Sequence, residues 1–377
     1  MDGLLPSQML RDALSSGWLR TITGGQLADE CIQPASLDLR VGPVAHRLQC
    51  SFLPSNGPVI EPLSKFSMGT LDLRAGAILE RNRPYLIQLQ EWAHLPGWIR
   101  GKANPKSSTG RLDIFTRLIT DGSPGFDYVE AGYNGPLYIE VVPRSFTVEV
   151  REGDSLNQIR LMAGNTALSD METFELHRET PLLYRDGRAV SQDAVLIADG
   201  LSISVDVSGN TGRHVGFRAR GHSGLVTLSA RGEYAVDPFW EPVLPDSPRV
   251  VVLNPESFYL LMSQDEVRIP PGYAAEMTAY DPTNGELRTH YAGFFDPGFG
   301  HRGDLIMGGG TRAALEVRAH DVPFAVEHGQ RLCRLRFERM AEIPDLLYGA
   351  PRAGSSYAEQ RVAVGKQFHQ PIGSLDT

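Results

Sequence analysis

Leu137-Tyr138-Ile139-Glu140-Val141-Val142 is an apolar run of strand length that holds a single carboxylate, and its Glu-Val pair returns as Glu316-Val317. Outward from this pair the correspondence continues. Val150 matches Val326, Gly153 matches Gly329, Leu156 matches Leu332 and Arg160 matches Arg336, each 176 residues apart. Upstream, Pro96-Gly97-Trp98 returns as Pro271-Gly272-Tyr273 at a spacing of 175. One spacing held over so long a distance reads as a duplicated domain. The copies differ at one place that bears on chemistry: Lys106-Ser107-Ser108-Thr109-Gly110-Arg111 faces Asp281-Pro282-Thr283-Asn284-Gly285-Glu286. The second copy has lost the cations and the paired serines.

Strand-length segments such as Leu86-Ile87-Gln88-Leu89 and Thr147-Val148-Glu149-Val150 are separated by Pro96-Gly97, Pro124-Gly125 and Glu152-Gly153-Asp154. Many short strands between turn signals predict an all-β sandwich or barrel and not βαβ units. Two helices are expected. Ser7 can cap one whose Leu10, Leu14 and Trp18 share a face, and Ser169 with Glu172 reads as a capping box opening another, through about Arg178. The domains expected are 1–165, a helical linker 166–200, a second copy 201–342 and a tail 343–377, rich in Gly, Ser and Pro, with no clear period.

A net charge of −9 over 377 residues argues against a nucleic-acid or membrane-surface binder but leaves small anions open, since a few local cations suffice for them. Cys31, Cys50 and Cys333 are odd in number and lack CxxC spacing, as expected of reduced thiols in a cytoplasmic protein. Neither a signal peptide at the start nor an apolar run of membrane-spanning length is evident.

Pro105 to Arg111 offers two adjacent hydroxyls, a lysine, a glycine and an arginine. Such a run can donate to phosphate oxygens, and it can equally be a solvated turn. Glu140 is a carboxylate in an apolar strand, which is costly unless paired or working; alternation along the strand points it, with Tyr138, either into a pocket or to solvent. The aromatic and glycine-rich connection from Phe126 to Gly135 can wall a flat ring or fill a core. Gly308-Gly309-Gly310 lacks the Lys-Ser/Thr of a phosphate loop and reads as a turn. His290, Asp296 and His301 have no spacing that fixes a metal geometry.

In chain order, Ile32 to Gly42, Lys106 to Arg111, Gly132-Tyr133-Asn134-Gly135-Pro136-Leu137-Tyr138-Ile139-Glu140, and Gly153 with Leu156-Asn157-Gln158-Ile159 resemble the dCTP deaminases, a family of the trimeric dUTPase-like superfamily. The double-length bacterial form, with two such folds fused, is the nearest in kind. The resemblance implies two tandem dUTPase-like distorted β-barrels with a few short helices, a homotrimer with sites at subunit interfaces, and dCTP as substrate. It makes Glu140, Arg111 and Ser107 the catalytic residues. Binding residues would be Lys106, Ser108, Thr109, Gly110, Glu130, Tyr138 and Ile139, joined by Tyr348, Tyr357 and Gln360 from a tail that folds over nucleotide. Departures from the family pattern are Glu130 for an Asp, Ala131 for a Pro and Ser355 for a tail Lys, whose charge Arg352 or Arg361 can replace.

Deamination of cytosine adds water at C4 and expels ammonia, and one carboxylate can take the water proton and then deliver protons to N3 and the amine. Zinc deaminases ionise the water on a metal instead, using H-x-E and P-C-x-x-C, which this sequence lacks. Mg²⁺ is expected only through the triphosphate, without zinc. Within the superfamily the alternative is dUTP diphosphatase activity, alone or combined, with Asp127 or Glu130 activating water; a different class is a non-catalytic nucleotide-binding regulator. Glu316 aligns with Glu140 without an Arg111 or Ser107 equivalent, so the second copy is expected to be a structural partner.

Overall fold

Strand-forming segments of two to twelve residues, cut by Gly and Pro, pair into sheets. The computed structural model describes residues 2–25, 27–209, 214–279, 287–289, 293–301, 309–319, 321–350 and 364–369. Among these residues there are four short α-helices, and the rest of the regular structure is mainly β. Two compact units are present. The first comprises Met1–Thr166, Leu225–Ser229 and Arg339–Gly354, and the second Ala167–Gly224, Ala230–Glu338 and Ser355–Thr377.

The first unit holds helices α1 (Ser7–Ser15), α2 (Ile60–Phe66) and α3 (Ser107–Gly110). Its main strands are β1 (Leu37–Leu48), β2 (Tyr85–His94), β3 (Ile99–Pro105), β4 (Ile114–Thr120), β5 (Tyr128–Val129), β6 (Asn134–Pro143) and β7 (Ser155–Ala163). They pair in the order β4-β6-β2-β1-β7-β3-β5. The second unit holds α4 (Asp170–Glu179), β8 (Leu201–Asp206), β9 (Phe258–Val267), β10 (Tyr273–Ala279), β11 (Leu287–Thr289), β12 (Phe294–Phe295), β13 (Thr311–Ala319) and β14 (Arg331–Arg339). These pair as β11-β13-β9-β8-β14-β10-β12, the same order element for element.

Buried polar details recur with the strand order. Tyr85 Oη accepts from the Glu80 N–H at 3.1 Å, and Tyr259 Oη accepts from the Asn254 N–H at 2.9 Å. The wholly buried Glu91 accepts from the Arg40 N–H at 2.8 Å; in the second unit Asp265 accepts from the Ser204 N–H at 3.0 Å. In each case a buried side chain satisfies a main-chain group that the ladder leaves over.

Helix starts differ in how far local sequence decides them. Ser169 and Glu172 form the expected reciprocal capping box at α4. At α1 the N-cap is Pro6, and Ser7 is the first helical residue; its hydroxyl donates to Asp345, which also pairs with Arg11 at 2.7 Å. The helix ends at Ser15, so Trp18 leaves the face of Leu10 and Leu14 and packs edge-on against Trp98. A long-range carboxylate has taken the hydroxyl that was expected to cap.

The chain's last described segment belongs to the second unit. Phe368 is 1 % exposed and lies 5.3 Å from the ring of Phe239 and 5.9 Å from that of Trp240. The Gly232 and Glu233 amides donate to the Lys366 and Gln367 carbonyls, fixing the segment's main chain beside this socket. Phe368→Ala empties a fully enclosed aromatic site and is expected to cost about 3–5 kcal/mol. Urea unfolding followed by tryptophan fluorescence measures this, and an unchanged midpoint would mean that the ring does not hold the unit together.

Candidate active site

Strand β6 is covered on both faces: Leu137, Tyr138, Ile139, Glu140 and Val141 are all buried. Alternation puts Tyr138 and Glu140 on one face and Leu137 and Ile139 on the other. Glu140, 2 % exposed, stands opposite Leu86 on β2 and Arg117 on β4. Leu86 and Tyr138 belong to an apolar cluster with Leu48, Val59, Leu63 and Ile119, against which Phe52 and Phe126 also pack. The carboxylate therefore sits beside an apolar region walled in part by aromatic rings.

Burial raises the Glu140 carboxyl above the ordinary carboxylate range, and a hydrogen bond from Ser51 and the positive charge of Arg117 offset only part of that rise. Arg117 is held in place by aromatic faces, with its guanidinium carbon 4.4 Å from the Phe115 ring centre and 4.5 Å from that of Phe126. Glu140 Oε2 is buried without a hydrogen-bond partner among the described residues. A buried carboxylate oxygen in that state is costly by itself, and it is a ready acceptor for a water or a protonated ligand nitrogen.

The run Lys106 to Arg111 forms the short helix α3, between β3 and β4. The Lys106 N–H donates to the Leu156 carbonyl at 3.0 Å, and Thr109 Oγ1 donates to the same carbonyl at 2.8 Å, so both residues tie α3 to β7. Lys106 is ion-paired to Asp38, whose side chain is 8 % exposed. Ser107 is half-buried, while Ser108, Gly110 and Arg111 are buried. Thr109 thus has a structural bond to make, and Lys106 already faces an anion of its own chain.

Sequence reasoning grouped Glu140 with Arg111 and Ser107. Within one chain, a hydrogen bond from Ser51 and the charge of Arg117 act on Glu140. The register explains it: Glu140 pairs with Arg117, but Ile114, where β4 begins, pairs with Pro143. Three residues of strand separate the two levels, about 10 Å at the usual rise, and Arg111 precedes Ile114 by three more. Tyr138 lines the aromatic cluster, whereas the Ile139 side chain is fully enclosed on the opposite face. Glu130 is exposed at the turn whose Tyr133 N–H donates to the Glu130 carbonyl at 3.1 Å. Asp127 Oδ1 accepts from the Leu118 N–H at 2.7 Å. Tyr348 is half-buried in the turn Leu347–Ala350 of the first unit. Tyr357 and Gln360 lie outside the described residues, as do 281–286, His290 and Gly308.

Ser51 and Arg117 escaped the sequence reading, because only the tertiary fold brings them to Glu140: Arg117 by strand pairing and Ser51 from the loop after β1. Asp38 escaped too, although it lies inside a quoted motif. Its place beside Lys106 follows from β7 lying between β1 and β3, with Gln158 opposite both Asp38 and Asn104.

Two family models cover the chain. One, described as the 2'-deoxycytidine 5'-triphosphate deaminase N-terminal domain, matches residues 1–165; its C-terminal counterpart matches residues 169–368. A solved structure of 2'-deoxycytidine 5'-triphosphate deaminase from Agrobacterium tumefaciens superposes with a TM-score of 0.83 at 42 % identity, over 91 % of this chain and 99 % of that one. Among curated proteins, a "dCTP deaminase, dUMP-forming" of Methanobrevibacter smithii is 30 % identical over 112 residues, 29 % of this chain and 53 % of the relative. A dCTP deaminase of Aeropyrum pernix is 30 % identical over 131 residues, 34 % of this chain and 66 % of the relative. The match to the first of these thus spans about half of that relative's length. With both halves matched by the paired family models and a solved homologue spanning nearly all of it, the chain belongs to the 2'-deoxycytidine 5'-triphosphate deaminase family.

Proposed function

We propose that the protein deaminates dCTP hydrolytically to dUTP and ammonia, with Glu140 as the proton shuttle. The observation that carries this is the enclosed Glu140 carboxyl, raised above its ordinary range, with Oε2 lacking a partner among the described residues at the edge of an aromatic cluster. A raised carboxyl holds a proton well enough to return it, which a shuttle needs. Glu140 takes a proton from the water as it adds at C4, then gives protons to N3 and to the departing amine. Ser107 positions that water, and Arg111 orients Glu140 and stabilises charge during attack. Lys106, Ser108 and the α3 main chain bind the triphosphate. The hydroxyl and ammonium donors of α3 suit phosphate oxygens, and Mg²⁺, carried on those oxygens, would neutralise their charge. The route is zinc-independent on the motif argument given above. Its product would feed dTMP synthesis in the cytoplasm, where the free thiols Cys31, Cys50 and Cys333 remain reduced.

The separation of Glu140 from Arg111 along β4 and β6 supports a homotrimer in which one copy supplies the glutamate and its neighbour the arginine. Lys106 would then exchange Asp38 for substrate phosphate. The second unit is read as an oligomer-completing partner and not as a second catalytic site. The dUMP-forming relative keeps a combined deaminase and diphosphatase in view. The Asp127 carboxylate already accepts the Leu118 N–H and Glu130 is solvent-exposed, which favours deamination alone.

Incubation with dCTP and Mg²⁺ is expected to yield dUTP and ammonia; pyrophosphate and dUMP as products would replace this reading with the combined one. Glu140→Gln is expected to lower kcat by about 10²–10⁴-fold with dCTP binding retained, and full turnover in that variant would remove Glu140 from the mechanism. Mixing refolded Glu140→Gln and Arg111→Ala chains should restore roughly a quarter of wild-type activity if sites form between copies; no recovery would put both residues in one chain's site.

The raised Glu140 carboxyl also sets a pH dependence. Its folded-state pKa lies above the unfolded one, so its stability contribution is fully present below the unfolded pKa and is lost as pH rises through the folded value. Thermal melts of Glu140→Gln should therefore gain on wild type as pH rises through that window and converge with it below. The acidic limb of kcat/KM should lie above the ordinary glutamate range. Ser51→Ala, by deleting a bond that favours the ionised form, should move that limb further up.

A further inference from the structure

The second unit contains a cavity of about 330 Å³ whose lining does not include Glu316, the match of Glu140; it is walled by β8, β14, the end of β9 and the residues that follow α4. Three guanidinium groups line it: Arg185, Arg249 and Arg331. Arg185 is committed, since its Nη2 lies 2.6 Å from Oδ1 of the buried Asp265. Arg249 and Arg331 are exposed, and neither side chain has an ion-pair or hydrogen-bond partner among the described residues. His328 and Gln264 stand beside them with side-chain nitrogens 3.1 Å apart.

The corresponding place in the first unit is less basic, its one equivalent arginine, Arg40, being paired to the buried Glu91. Gly153 matches Gly329, so Glu152 stands where His328 does and Ser155 where Arg331 does. The register of Ala77 with Val150 and of Val251 with Val326 puts Ala75 at the position of Arg249. Ala, Glu and Ser in one unit have thus become Arg, His and Arg in the other. The backbone of Arg249 is held at φ 65°, in the left-handed region that a bulky L-residue rarely enters, while its carbonyl accepts the His328 N–H at 2.9 Å. This backbone places an arginine with no ion-pair partner among the described residues at a polar cavity.

We propose that this cavity binds a phosphate-bearing small molecule, with Arg249 and Arg331 gripping the phosphate. Two guanidinium forks from separate elements match a dianion with several acceptor oxygens, and the cavity lies at the small end of the range that holds metabolites. At the same place the first unit offers only Arg40, already paired to Glu91, beside Glu152. The proposal rests on no part of the deaminase reading.

Inorganic pyrophosphate is the probe, read by the imidazole proton–carbon resonances of His328, assigned by their loss in His328→Asn. A saturable shift is expected in wild type and in Lys106→Gln, which removes a cation of the other unit. Arg249→Gln combined with Arg331→Gln should weaken the affinity by about tenfold or more, each lost charged bond being sufficient for that. Circular dichroism checks folding, and if the double variant does not fold, each single variant must weaken binding. No shift at millimolar pyrophosphate, an equal shift with sodium chloride at matched ionic strength, or undiminished affinity in the folded variants would overturn the proposal.

Discussion

Enclosing a carboxylate between two hydrogen-bonded strands sets the terms for the rest of the first unit. Glu140 is buried on β6, and among the described residues no main-chain donor compensates it as the Arg40 amide does for Glu91. The energetic cost is tolerable because β2 and β4 fix β6 rigidly and Arg117, clamped between Phe115 and Phe126, brings a positive charge without closing the position off. Burial under the strands on either side is what raises the carboxyl. Packing, electrostatics and proton chemistry are here three views of one burial.

The two units answer similar demands with different residues. Each has a buried acid receiving the main-chain N–H of the neighbouring strand, yet Arg40 neutralises Glu91 from that same strand, while Asp265 draws Arg185 from the short strand Leu183–Arg185. Moving the counter-charge to another element leaves space in the second unit that Arg40 occupies in the first. A duplicated ladder thus supports divergent surfaces: the hydrogen-bonded order is held by the main chain, and side chains at loop ends are free to change sign.

Much of this was legible from residue order. The strand-length apolar runs, the turn punctuation and the 176-residue spacing predicted a mainly β chain with a repeated pattern, and the seven-strand order recurs in both units. The capping box at Ser169 was legible because both partners lie within four residues. Ser7 was misread for the opposite reason: the group that captures its hydroxyl, Asp345, lies at the far end of the chain.

The sequence by itself determined the elements and the residue types capable of the chemistry, since periodicity, turn residues and an acid in an apolar run are local facts. Only the tertiary structure decided what surrounds Glu140, because strand pairing brings Arg117 to it and the loop after β1 brings Ser51. Likewise Arg249, His328 and Arg331, unremarkable when read one by one, become a basic cavity only when β8 and β14 and the turns beside them are folded together. Register and burial are collective properties of the ladder, and no single stretch of residues contains them.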